Sequence, residues 1–114
     1  MRIRVSVLAL FASTALSIAT IAPAHAELDD AAARALLKKS TCTTCHKLEK
    51  TAVGPSFQDI AKKRKGQASA VDDLKKVVRN GSTGTYGTNS MPAFTADKLS
   101  EADLTDLVQW ILTR

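Results

Sequence analysis

Cys42-Thr43-Thr44-Cys45-His46 decides how the rest of this chain is read. Two thiols three positions apart stand one helical turn from each other, and a histidine follows the second at once. That pattern is the attachment site of a c-type haem. Each thiol can add to one of the two vinyl groups of a porphyrin, and the next residue is then carried under the ring to ligate iron. Cys42 and Cys45 are therefore the candidate thioether residues, and His46 the candidate first axial ligand, of one covalently bound haem c per chain. Cys-x-x-Cys alone also marks thioredoxin-like redox sites and half of a zinc site. A redox dithiol belongs in a strand–helix context, and no segment here alternates convincingly at period two. A zinc site wants four Cys/His ligands, and three stand together here.

Upstream, Met1-Arg2-Ile3-Arg4 is a short positive segment, Val5 to Ile21 is uncharged, and Ala24-His25-Ala26 is a small-x-small cleavage signal. The expectation is a signal peptide over residues 1–26, cleaved on export to the periplasm, and one domain over residues 27–114. The uncharged stretch is long enough to be read instead as a membrane anchor. Five Ser and Thr residues weaken its apolar run, Pro23 precedes the cleavage box and no basic stop follows, so stable membrane insertion is not expected. A domain this small needs a staple, and covalent haem with its apolar surface would be one.

Removing the leader sharpens the inventory. Of 16 basic residues Arg2 and Arg4 depart, so 14 face 11 acidic ones and the mature charge is +3. Mild positive charge fits an electrostatically steered acidic protein partner more than nucleic acid. His46 becomes the sole histidine and Met91 the sole methionine, while both cysteines are committed to the motif. Met91 is thus the candidate second axial ligand, with lysine as its main competitor. It stands before Pro92, whose fixed φ suits a ligand loop that must not shift. His/Met ligation raises the reduction potential and leaves no open position on iron, which argues against an enzyme.

The rest reads as helix. Asp29 or Asp30 can cap a helix through Lys39, with acidic residues at its start and basic ones at its end. Gly54-Pro55-Ser56 opens a short helix carrying Phe57, Ile60 and Ala61 on one face, ended by Lys62-Lys63-Arg64-Lys65-Gly66. Val71, Leu74, Val77 and Val78 mark a third helix from about residue 68 to 79. A loop rich in Gly, Ser and Thr leads to Met91-Pro92, and Ser100-Glu101-Ala102-Asp103 is a capping box for a last helix with Leu104, Leu107, Val108 and Ile111 in its stripe.

The haem box, then Val53-Gly54-Pro55-Ser56-Phe57, then Asn80-Gly81-Ser82-Thr83-Gly84-Thr85-Tyr86-Gly87, then Met91-Pro92, resembles the short bacterial class I cytochromes c, the cytochrome c-551 type. The resemblance covers nearly all of the mature chain. It implies an all-α fold of four to five helices wrapped round one haem, with the first and last helices crossing, and monohaem electron transfer in the periplasm. It also implies that the Pro55 carbonyl accepts a hydrogen bond from the ligand histidine and that Tyr86 donates to a haem propionate, with Arg79 a weaker propionate candidate. One position departs from the pattern. Where some relatives place an asparagine able to bond the methionine sulfur, this sequence has Phe94.

The expected function is a one-electron shuttle, a monomer between redox protein partners, docked through Lys47, Lys50, Lys62, Lys63, Arg64 and Lys65 around an exposed haem edge. The alternatives are a cytochrome c subunit of a larger redox complex and a haem peroxidase or gas-binding protein. Lys62 to Lys65 also reads as nothing more than a solvated helix end.

Overall fold

The computed structural model describes residues 27–85 and 87–114. The expected signal peptide and Tyr86 lie outside the described residues. Four α-helices and one 3-10 turn make the fold: α1 (Asp30–Lys39), the turn Cys42–Thr44, α2 (Phe57–Arg64), α3 (Ala70–Asn80) and α4 (Glu101–Leu112). Among the described residues there is no strand, only an isolated antiparallel bridge between Ser82 and Met91.

Capping chemistry sets the helix starts. Asp29 accepts from the Ala32 amide at 2.7 Å, Ser56 from Asp59 at 3.0 Å and Ser100 from Asp103 at 3.1 Å, each satisfying one of the amides a helix start leaves unpaired. The third helix starts two residues later than its apolar pattern suggests. Ser69 makes no capping bond to the backbone there, and its hydroxyl donates to the Asp73 carboxylate instead.

The core is the meeting of the apolar faces. Ala33 and Leu37 of α1, Phe57 and Ile60 of α2, Leu74 of α3 and Leu104, Leu107, Val108 and Trp110 of α4 are buried together with Leu99. The last helix therefore packs on all three others. The two ends of the chain are also tied by polar groups, for Trp110 Nε1 and Arg114 Nη1 both donate to Asp30 Oδ1, at 2.9 and 2.8 Å. Between α1 and α2 the backbone turns sharply at Thr41, a β-branched residue in the left-handed region at φ 60°. That conformation is costly for such a side chain, and it swings the chain out of α1 directly into Cys42.

Candidate functional site

Cys42, Cys45, His46 and Met91 all line one cavity of about 460 Å³, a size in the ordinary range for bound ligands. Its walls include Phe57, Leu74, Val77, Val78, Phe94, Leu104 and Val108. Cys42 opens the 3-10 turn and Cys45 caps its end. The His46 amide donates to the Cys42 carbonyl at 2.9 Å, which closes the turn around the motif. Burial, first of all, pushes the Cys42 thiol above its ordinary pKa.

The ring of His46 is fixed on three sides. Its Nδ1–H donates to the Pro55 carbonyl at 2.7 Å. A carbonyl can only accept, so Nδ1 carries the proton and Nε2 keeps its lone pair for a metal. Phe57 stacks on the imidazole with ring centroids 5.6 Å apart and 24° between planes. Gly54 packs so close that a Cβ there would meet His46 Cε1 at 2.6 Å. The pairing of His46 with Pro55 was legible only through the family resemblance. The need for Gly54 against the ring leaves no local mark in the sequence, because it is a spatial approach.

Met91 is held at the other end of its loop. Ser82 and Met91 exchange both backbone hydrogen bonds, at 3.0 and 2.8 Å. Gly81 lies under this bridge at φ 74° and ψ 177°, a conformation essentially confined to glycine. A Cβ at Gly81 would meet the Met91 carbonyl oxygen at 2.6 Å.

Arg79 is not among the residues lining the cavity. Its Nη1 donates to the Phe94 carbonyl at 3.1 Å and its Nη2 to Glu101 at 3.0 Å, and Lys75 joins the same carboxylate. Lysine and arginine, bonded first by Lys75, hold the Glu101 carboxyl below its ordinary range. The guanidinium thus ties α3 to the start of α4. Phe94 is half-buried and faces the cavity, and its amide donates to the Val78 carbonyl at 2.9 Å. Of the expected docking residues, Lys47 donates to the Thr43 carbonyl at 2.6 Å and Lys63 to the Thr85 carbonyl at 3.0 Å. Lys47, Lys50, Lys62, Lys63 and Lys65 are exposed and Arg64 is half-buried.

The donor set fits a covalent haem: two thiols, an imidazole with Nε2 available and a thioether on one apolar-walled cavity. It does not fit zinc, since among the described residues no three His, Cys, Asp or Glu side chains gather to hold a metal ion.

The sequence has known relatives. Residues 23–111 match the family model described as cytochrome C oxidase, cbb3-type, subunit III. The chain is 42% identical over 77 residues to cytochrome c2 of Rubrivivax gelatinosus, covering 68% of this chain and 91% of that protein. It is 37% identical over 106 residues to cytochrome c-552 of Nitrosomonas europaea, covering 93% of each. The crystal structure of the wild-type Nitrosomonas europaea protein superposes with a TM-score of 0.65 at 38% identity, over 70% of this chain and 96% of that one. The class 1 cytochrome MtoD of Sideroxydans lithotrophicus superposes at 0.64, with 30% identity over 75% and 96%.

Proposed function

The chain belongs to the class I cytochromes c, and from that premise we propose how its residues divide the work of a periplasmic one-electron shuttle. The protein carries a covalently attached haem c and transfers electrons to and from redox partners. When bound, the haem supplies the ferric/ferrous couple. Everything else is done by the chain.

Cys42 and Cys45 would hold the porphyrin through thioethers, and His46 and Met91 would ligate its iron. The observation that carries this assignment is the 2.7 Å bond from His46 Nδ1 to the Pro55 carbonyl in the cavity that Met91 also lines. That bond commits one ring nitrogen and orients the other. It also makes the imidazole a better donor to iron. Phe57 and Gly54 stop the ring from rotating, which would keep the imidazole fixed as charge comes and goes. The apolar wall of Leu74, Val77, Val78 and Leu104 excludes water. With His46 and Met91 both bound to iron, no position would remain for substrate or dioxygen, which supports electron transfer rather than catalysis.

Export rests on the leader at residues 1–26. Among the described residues no helix is long and apolar enough to cross a membrane. The exposed lysines of α2 and of the Lys47 to Lys50 turn form the docking surface for an acidic partner.

The deciding experiment is a spectrum of the ferric protein combined with mass spectrometry of the mature chain. A low-spin spectrum with a weak near-infrared sulfur-to-iron band, and a mass equal to residues 27–114 plus one haem, are the expected results. A high-spin spectrum with rapid cyanide binding would overturn the ligand assignment. A second reading, a cytochrome subunit of a larger complex, is favoured by the family model's description. Elution of the native protein at monomer mass supports the shuttle, and co-elution with a large assembly supports the subunit.

A further inference from the structure

We propose that Asn89 is a positioning residue: its side-chain amide clips the loop carrying Met91 to the loop packed on His46, and so sets how readily the methionine side of the cavity opens. The proposal rests on the assignment of Met91 as an axial ligand.

Among its described residues, the segment between α3 and Pro92 has no helix of its own. The Ser82–Met91 bridge pins its two ends but leaves its tip to be held by side chains. Inside the loop, the hydroxyls of Thr83 and Ser90 lie 3.1 Å apart and bond one another. Among the described residues, two side-chain bonds run from the tip to the rest of the protein. Asn89 Nδ2 donates to the Val53 carbonyl at 2.9 Å, and Lys63 Nζ donates to the Thr85 carbonyl at 3.0 Å.

These two are unequal restraints. The lysine reaches across on a flexible four-carbon stem with a rotating head. The asparagine amide is planar, short and directional. Its acceptor is also in a telling place. Val53 is the residue before Gly54, whose missing side chain admits the His46 ring. The Gly54 amide donates to the Cys45 carbonyl at 2.9 Å. One hydrogen bond therefore joins the methionine-bearing loop to the backbone that seats the histidine. Asn89 and Val53 both line the cavity, so breaking the bond loosens the wall at the point where the two loops meet. Aspartate has the same shape as asparagine but cannot donate, and it would turn a carboxylate towards the Val53 carbonyl.

The experiment compares the ferric, haem-loaded wild type with Asn89→Asp and Asn89→Gln. The first readout is amide hydrogen exchange over residues 52–54 and 83–90. The second is the rate at which imidazole replaces the native ligand at saturating concentration, where loop opening limits the reaction. Asn89→Asp is expected to raise exchange in both segments together and to speed ligand replacement about fivefold, the effect of one ordinary hydrogen bond. Asn89→Gln, which keeps the donor, should restore a large part of both. Unchanged exchange at residues 52–54 in Asn89→Asp would overturn the clip, because a merely softened loop would loosen residues 83–90 alone. A wild type that lacks the sulfur-to-iron band and binds imidazole in one fast step would remove the Met91 assignment instead. The paired exchange would then decide the clip by itself.

Discussion

The indole N–H of Trp110 donates to the Asp30 carboxylate at 2.9 Å, joining residues 80 positions apart at the two ends of the domain. Arg114 completes the joint. Its Nη1 bonds the same oxygen at 2.8 Å, and its guanidinium lies 4.3 Å from the centre of the indole ring. Trp110 in turn meets Phe57 edge to face at 6.3 Å and 76°, and Phe57 stacks on His46. A continuous line of contacts runs from the helix crossing to the histidine. The crossing thereby supports the orientation of the proposed ligand as well as the fold.

This joint predicts acid sensitivity. The Trp110 hydrogen bond first, then Arg114 and Arg34, hold the Asp30 carboxyl below its ordinary pKa. The unfolded chain therefore takes up this proton at a higher pH than the folded one. The stabilisation is complete above the ordinary carboxylate value and is lost as the pH falls through the lowered folded value. Asp30→Asn should lower stability at pH 7 and flatten the decline of the denaturation midpoint below about pH 4. Equal acid slopes for variant and wild type would show that Asp30 is not a source of the sensitivity.

Gly54→Ala tests the seat of the histidine. The new methyl would stand 2.6 Å from Cε1 and 3.0 Å from Nδ1 of a ring already pinned by Pro55 and Phe57, so neither side can yield cheaply. Overpacking of this kind costs about 1–3 kcal/mol. Guanidinium denaturation should show that loss, together with a shifted ferric electron paramagnetic resonance spectrum from a tilted imidazole. A variant of wild-type stability and spectrum would mean the loop moves aside freely.

Met91→Ala should keep the covalent haem, because attachment is assigned to Cys42 and Cys45. The ferric protein should turn high-spin, lose its near-infrared band and bind cyanide rapidly, and the ferrous protein should bind carbon monoxide. An unchanged ferric spectrum would assign the sixth position to another residue, with lysine the first to try.

Docking through lysine predicts salt dependence. Electron transfer to an acidic partner should slow about tenfold between low salt and physiological salt and above, as screening shortens the reach of exposed charge. A Lys62→Glu, Lys65→Glu variant should be slower at low salt and less sensitive to added salt. A flat profile in the wild type would point to an apolar docking patch.

Much of the architecture was legible because its causes are local. Ser56 and Ser100 announce their helices through amides three residues on, and the stripe of Leu104, Leu107 and Val108 is buried as its period requires. Apolar spacing alone starts the third helix two residues early, since it says nothing about whether Ser69 spends its hydroxyl on the backbone or on Asp73. The protein partners of Arg79 are not legible in the sequence for a related reason. A cation near a cofactor loop has several anionic or carbonyl partners within reach, and only the packing of α3 against α4 brings Glu101 and the Phe94 carbonyl to it.

By itself the sequence determined the cofactor chemistry, the helical class and the candidate ligands. Thiol spacing, helical period and the placement of the other histidine and methionine, His25 and Met1, within residues 1–26 are facts of order along the chain. The tertiary structure alone decided what holds those groups still: Gly54 against His46, Asn89 on Val53, and Asp30 shared by Trp110 and Arg114. These contacts join residues up to 84 positions apart. Their geometry depends on where helices cross and loops return, and no local pattern of residue types encodes that.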